Sequence, residues 1–196
     1  MYQRLDVQRE QSLLESFLFR TPALRHLRLN FQQVDQDTAP YILEGFSRTT
    51  NLLPALERFE LGMVGTTPDL LLQVLSGFAP TLRRVGLWKF KFLYSVLPRW
   101  NDADGRFNPW PRFLSDLRNV SSLRLDSVTL GCLTQWEWSN GSARVNFASG
   151  KVSEEGTGDM AVFLPKIIDN LRVQWPAPPP ESEEDEDNDM IDEDED

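Results

Sequence analysis

The chain has one cysteine, Cys132, and one histidine, His26, among its 196 residues. A single thiol excludes an intrachain disulfide, so nothing in the sequence calls for an oxidising compartment. Nucleophilic catalysis needs a base held beside a nucleophile, and zinc needs clustered His and Cys ligands; His26 and Cys132, far apart in the chain, offer neither. They read more simply as an exposed strand residue and a small core filler. No G-x-G-x-x-G or phosphate-loop pattern occurs, and Asp102 and Asp104 sit in a loop-like stretch rather than as a fixed glycosidase pair. The expectation is a protein that is not an enzyme and uses no metal or cofactor. Long apolar runs are missing too: none approaches the roughly 18 residues that span a bilayer, and "MYQRLDVQREQSLLESF" lacks a signal-peptide core. These absences point to a soluble monomer of the cytoplasm or nucleus with no membrane partner. In such a setting "NVS" at Asn119 and "NGS" at Asn140 carry little weight as glycosylation acceptors.

The formal charge of −10 is unevenly placed. Residues 181–196 hold twelve carboxylates and no basic side chain, which leaves 18 acidic and 20 basic residues for 1–176. Residues 80–124 carry nine Lys or Arg against three Asp. The middle is basic, and the end is a strongly acidic run.

What the sequence has in quantity is a repeated apolar spacing. "PALRHLRLNF", "PALERFELGM", "PTLRRVGLWK" and "NVSSLRLDSV" share L-x-x-φ-x-L, where φ is apolar. Its members are Leu24, Leu27, Leu29; Leu56, Phe59, Leu61; Leu82, Val85, Leu87; and Val120, Leu123, Leu125. Three residues on, Val64, Phe90 and Val128 continue the pattern, whereas the first copy has Gln32. Spacings of 32, 26 and 38 residues suggest an irregular array of repeats. Between the copies lie helical periodicities: Leu13, Leu14, Phe17, Leu18 in 10–19; Ile42, Leu43, Phe46; Leu71, Val74, Leu75, Phe78; and Phe113, Leu114, Leu117. Thr67 before Pro68 is an N-cap followed by proline at the first helical position, and Gly77 marks the end of that helix. Strands alternating with helices of this length pair in parallel. The fold class expected is α/β: a short irregular leucine-rich-repeat-like solenoid, with parallel strands lining one side and helices on the convex side.

The order helix, "P-x-L-x-x-φ-x-L", turn, in "LSGFAPTLRRVGL" and "WPRFLSDLRNVSSLRL", resembles the leucine-rich-repeat-like region of fungal F-box proteins over about residues 10–130. That resemblance implies a substrate-recognition role in a ubiquitin-ligase receptor. It departs from regular repeats at the fourth apolar position, which lacks an asparagine or cysteine ladder. No F-box-like segment precedes the first repeat in this chain; an in-frame F-box upstream of Met1 would make it the carboxy-terminal part of a ubiquitin-ligase receptor.

After Leu130 the pattern changes. "TQWEWSNGSARVNF" reads as a hairpin turning at Asn140-Gly141. Counting outward pairs Trp138 with Ala143, Trp136 with Val145 and Thr134 with Phe147, and sets Glu137 opposite Arg144. This hairpin, about 134–147, is expected to cap the array, followed by a terminal helix at about 159–172 that Pro165 kinks or restarts. The solenoid domain spans 1–176. The run of prolines after Trp175 ends it, and 177–196 is expected to be a disordered acidic tail, with Ser182 as an acidophilic phosphorylation site. The stretch from Tyr94 to Pro109 is the longest interior loop.

Strand alternation locates the candidate binding surface. With Leu27 and Leu29 inward, His26, Arg28 and Asn30 face outward, as do Arg58, Glu60, Gly62; Arg84, Gly86, Trp88; and Ser122, Arg124, Asp126. Stacking gives a column His26, Arg58, Arg84, Ser122 beside a column Arg28, Glu60, Gly86, Arg124. Arg28, Arg58, Glu60, Arg84, Trp88 and Arg124 are the candidate contacts for a protein or peptide on a concave face. The bland account is a solvated charged face. Nucleic-acid binding through the basic residues 80–124 is the alternative, disfavoured by the low pI and the lack of interleaved aromatics. A third possibility is self-contact, with the acidic tail folding back on the basic face; the bland account of the tail is solubility.

Overall fold

The computed structural model describes residues 13–31, 39–49, 52–93, 108–137 and 141–175. The 94–107 part of the interior loop, Trp138, the tail and Ser182 lie outside the described residues.

Helix α1 (13–19) precedes strand β1 (His26–Asn30), and α2 (Ala39–Arg48) leads to β2 (Arg58–Gly62) and the short β3 (Gly65–Thr66). Next come α3 (Pro68–Phe78), β4 (Arg84–Trp88) and β5 (Lys91–Phe92), then α4 (Trp110–Arg118), β6 (Ser127–Gly131) and β7 (Leu133–Glu137). The chain closes with β8 (Gly141–Phe147), β9 (Ser153–Thr157), α5 (Met160–Asn170) and β10 (Leu171–Gln174). This is a mixed α/β fold with two five-stranded sheets. Sheet A runs β1-β2-β4-β6-β9, parallel except for β9; sheet B runs β10-β8-β7-β5-β3, parallel from β3 to β7 and antiparallel beyond.

The units repeat with the same hydrogen bonding. The carbonyls of Arg25, Glu57 and Arg83 each accept from two successive amides of the next strand entry, Glu57 and Arg58, Arg83 and Arg84, Asp126 and Ser127. At the far end of each strand, Met63, Lys89 and Cys132 adopt left-handed backbone, with φ of 55°, 50° and 51°. Each turns the chain from sheet A into sheet B, and Met63 and Lys89 donate their N–H groups to Trp88 O and Gly131 O, both at 2.9 Å. A left-handed non-glycine residue costs about 1–2 kcal/mol, so its recurrence at equivalent places shows how strongly the flanking strands impose the corner.

These equivalences correct the fourth repeat. Val85 pairs with Val128 and Leu87 with Leu130, so the fourth copy is Leu125, Val128, Leu130, Leu133, five residues later than Val120, Leu123, Leu125. Both registers satisfy L-x-x-φ-x-L because Leu125 belongs to each. The later one prevails because it continues to Leu133, which is buried, and puts Cys132 at the corner. Cys132 is therefore a half-buried corner residue rather than a core filler.

The helices pack in chain order, α2 on α3, α3 on α4 and α4 on α5. Their predicted apolar faces are buried at Ile42, Leu43, Phe46, at Leu71, Val74, Leu75, Phe78, and at Phe113, Leu114, Leu117. Thr67 caps α3, accepting from the Leu70 amide, although the helix runs one residue past Gly77. In α1 only Leu18 is fully buried, while Leu13 and Phe17 are exposed. One hydrophobic core extends from Leu18 to Leu171. Within it, Phe46, Phe59 and Phe78 form one aromatic group at 5.5–6.4 Å, and Phe90, Phe92, Trp110 and Phe113 a second at 4.2–6.1 Å. Such pairs add roughly 0.5–1.5 kcal/mol each beyond area burial.

The C-terminal elements depart furthest from expectation. Leu133 pairs with Val145, Thr134 with Arg144 and Gln135 with Ala143, so the hairpin is three steps out of the register that an Asn140-Gly141 turn would set. Because that shift is odd, β7 presents Leu133 and Gln135 to the core instead of Thr134. The cause is tertiary: β7 also pairs in parallel with β5, Lys91 to Thr134 and Phe92 to Gln135, which fixes its facing before the turn can. β9 closes sheet A and β10 closes sheet B. Helix α5 runs through Pro165 and ends at Asn170, where Leu171 becomes extended and Arg172 enters a strand rather than the helix.

Candidate functional site on the outer face of sheet A

Register places the outward residues of sheet A in three rows. The first is His26, Arg58, Arg84, Ser127, Thr157; the second Arg28, Glu60, Gly86, Thr129, Glu155; the third Asn30, Gly62, Trp88, Gly131, Ser153. Five of the six sequence candidates, Arg28, Arg58, Glu60, Arg84 and Trp88, therefore come together. Arg124 does not: it precedes β6, and its guanidinium donates to its own chain at Leu123 O, 2.7 Å away. The residues that take the places assigned to Ser122, Arg124 and Asp126 are Ser127, Thr129 and Gly131. Thr129 and Glu155 were missed. The Leu125–Leu133 spacing would have found Thr129; the sequence carries no comparable signal for Glu155.

Electrostatically the surface is mixed, not uniformly basic. The first row sets His26, Arg58 and Arg84 side by side, an arrangement that repels itself. Glu60 resolves it. His26 Nε2 lies 3.1 Å from Glu60 Oε2, and Arg28 Nε 3.9 Å from the same oxygen. Arg58 donates to Oε1 through Nε at 2.8 Å and also through Nη2. Burial pushes the Glu60 carboxyl up, but the hydrogen bonds and charges of Arg58 and His26 outweigh it and hold the group below the ordinary carboxylate range. Arg58 is thereby committed to Glu60. Arg84, one strand on, is exposed and forms no ion pair with a described residue.

The large side chains lie flat because glycines lie beside them. A Cβ on Gly131 would come within 2.1 Å of the Trp88 ring, and one on Gly62 within 2.1 Å of Asn30 Oδ1. Glu60 leans over Gly86 in the same direction, its Cγ 3.1 Å from where a Cβ would stand. Trp88 thus rests against the backbone of the next strand with 43% of its surface exposed. Two hollows flank this arrangement and share Arg58, Glu60 and Thr129. One, of about 310 Å3, is bordered by Arg84, Asp126, Ser127 and Glu155; the other, of about 160 Å3, by Arg28, Asn30, Gly86 and Trp88.

Among the described residues the surface offers a guanidinium without an ion pair, hydroxyls, flanking carboxylates and an exposed aromatic plate. His26 is engaged with Glu60, and among the described residues no cluster of three or more His, Cys, Asp or Glu is placed to hold a metal. No helix of the described residues is long and apolar enough to cross a membrane. No protein-family model, curated protein or solved structure matches the chain.

Proposed function

We propose that the chain is a short, irregular leucine-rich-repeat-like solenoid that binds another protein through the outer, concave face of sheet A. In this reading it acts as the substrate-recognition part of an F-box-type receptor. The observation that carries the binding role is the pair of hollows joined across Glu60, with Arg84 open on one side and Trp88 laid over Gly131 on the other. Exposed Arg and Trp are the side chains most often dominant in protein interfaces. Arg84 suits a partner carboxylate, and the Trp88 plate suits an apolar or aromatic side chain beside it.

The nucleic-acid reading loses support from where the basic residues 80–124 go. Arg84 faces outward on sheet A, Lys91 lies on sheet B, Arg112 and Arg118 are on α4, and Arg83 bonds to the carbonyls of Leu82 and Pro80. Among the described residues they form no single stripe.

The test is the double variant Arg84→Ala/Trp88→Ala in a binding assay against partners captured by the full chain. The expected outcome is loss of those partners with the unfolding transition nearly unchanged. Retained binding would refute the assignment of this face.

A further inference from the structure

A third hollow, of about 630 Å3, opens between α2 and the start of α3 and shares no lining residue with the two on sheet A. Its size falls within the range of small-molecule sites, roughly 300–1,000 Å3. Helical spacing builds both walls: Pro40, Glu44 and Ser47 recur along one face of α2, and Leu70 and Gln73 follow Thr67 at steps of three along α3. Thr66, the last residue of β3, lies between the two walls. It pairs with Phe92 across β3 and β5, so it holds in the second repeat the core-facing place that the third fills with a fully buried phenylalanine. Thr66 is only 1% exposed, and its hydroxyl has no hydrogen-bond partner among the described residues. A buried hydroxyl without a partner destabilises a chain relative to an apolar side chain of the same shape, and valine would have that shape here.

We propose that this hollow binds a small uncharged polyol of the sugar class, one hydroxyl of which exchanges hydrogen bonds with Thr66. The walls select against charge. Arg48 is bonded to Glu44 at 3.0 Å, so neither ion is left for a ligand of opposite sign. An anion at the start of α3 would need free amides, but Pro68 has none, Leu70 donates to Thr67 Oγ1 and Leu71 to Thr67 O. Asp69, in the same turn, would repel it. The described lining residues include no aromatic side chain, so a nucleobase has no plate on which to stack. The remaining polar groups suit hydroxyls, which donate and accept at once, as Thr66 and the exposed Gln73 amide also do. Leu70 and Leu93 offer short apolar surfaces to the C–H faces of such a molecule. A ligand hydroxyl at Thr66 supplies the partner that the free chain lacks, so binding gains that contact and removes an existing penalty.

Titration of the full-length chain with D-glucose and with maltose at millimolar concentration, followed by backbone amide NMR shifts, tests this. The shifts should centre on Thr66, Leu70 and Gln73 and leave Arg84 and Trp88 unmoved. Thr66→Val should raise the unfolding temperature of the free chain, because it removes an unpaired buried hydroxyl while keeping the shape, and should weaken sugar binding by roughly tenfold. Thr66→Ser keeps the hydroxyl and should retain binding. Gluconate and glucosamine, the charged counterparts of glucose, should bind more weakly than glucose itself. The proposal is overturned if neither sugar shifts these amides, if the shifts centre elsewhere, or if Thr66→Val binds as tightly as the unaltered chain. A lower unfolding temperature for Thr66→Val would also overturn it, since the hydroxyl would then be engaged within the chain.

Discussion

The outer faces of the two sheets begin from the same repeated unit and carry different side chains. On sheet A Arg58, Arg28 and His26 converge on one carboxylate, Glu60, and leave Arg84 and Trp88 exposed. On sheet B the outward row runs Lys91, Thr134, Arg144, Gln174. A face that neutralises its own charges presents a shaped, selective surface. The corner residues Met63, Lys89 and Cys132 divide the two, so neighbouring side chains such as Trp88 and Lys91 serve different surfaces.

The strongest way to break this comparison is to remove what supports both faces. Phe59 is fully buried between Phe46 and Phe78, and Phe59→Ala should cost about 3–5 kcal/mol in urea unfolding. Because one core underlies both sheets, binding by sheet A should fail with the fold.

A more local disturbance separates them. Gly131→Val forces the Trp88 ring off its seat and should destabilise by about 1–3 kcal/mol, with an altered near-ultraviolet tryptophan signal. Partner binding should weaken while the cooperative unfolding transition is retained.

Glu60→Gln removes the shared acceptor and should cost about 1 kcal/mol or less, since its cationic partners are substantially exposed. The sign of its pH dependence follows from the lowered folded-state pKa. Glu60 binds a proton more readily when the chain is unfolded, so its contribution is present above the ordinary carboxylate pKa of 4.5 and is lost as pH falls through the depressed folded value. Acid titration of stability should be shallower in the Gln variant below about pH 4.5, with no difference in slope near neutrality.

The smallest stability effect belongs to Arg84→Ala, within about 0.5 kcal/mol, because an exposed arginine without an ion pair contributes little to folding. Its effect on partner affinity should nevertheless exceed that of Arg124→Ala, whose guanidinium is turned to its own backbone.

The first three strands were legible because Leu27, Phe59 and Val85 sit at one place in an unambiguous spacing, and their alternation fixed the outward residues. The fourth was not, since Leu125 completes one match and begins another; only the strand pairing decides between them. β9, "SEEGT", was invisible for a physical reason. Its core-facing position is Gly156, against which Phe163 and Ile167 pack directly, so the strand needs no apolar side chain to be buried. β3 and β5, two residues each, are too short for periodicity to show. The Asn140-Gly141 turn signal was real as a local preference and lost to the pairing of β7 with β5.

The separation of the two faces is tested most directly by placing a photo-crosslinking amino acid at Thr129 on sheet A or at Thr134 on sheet B of the full-length chain in cells. The account expects adducts at the mass of a second polypeptide from position 129 and none at that mass from position 134. Adducts to another polypeptide from position 134, with none from 129, would contradict it.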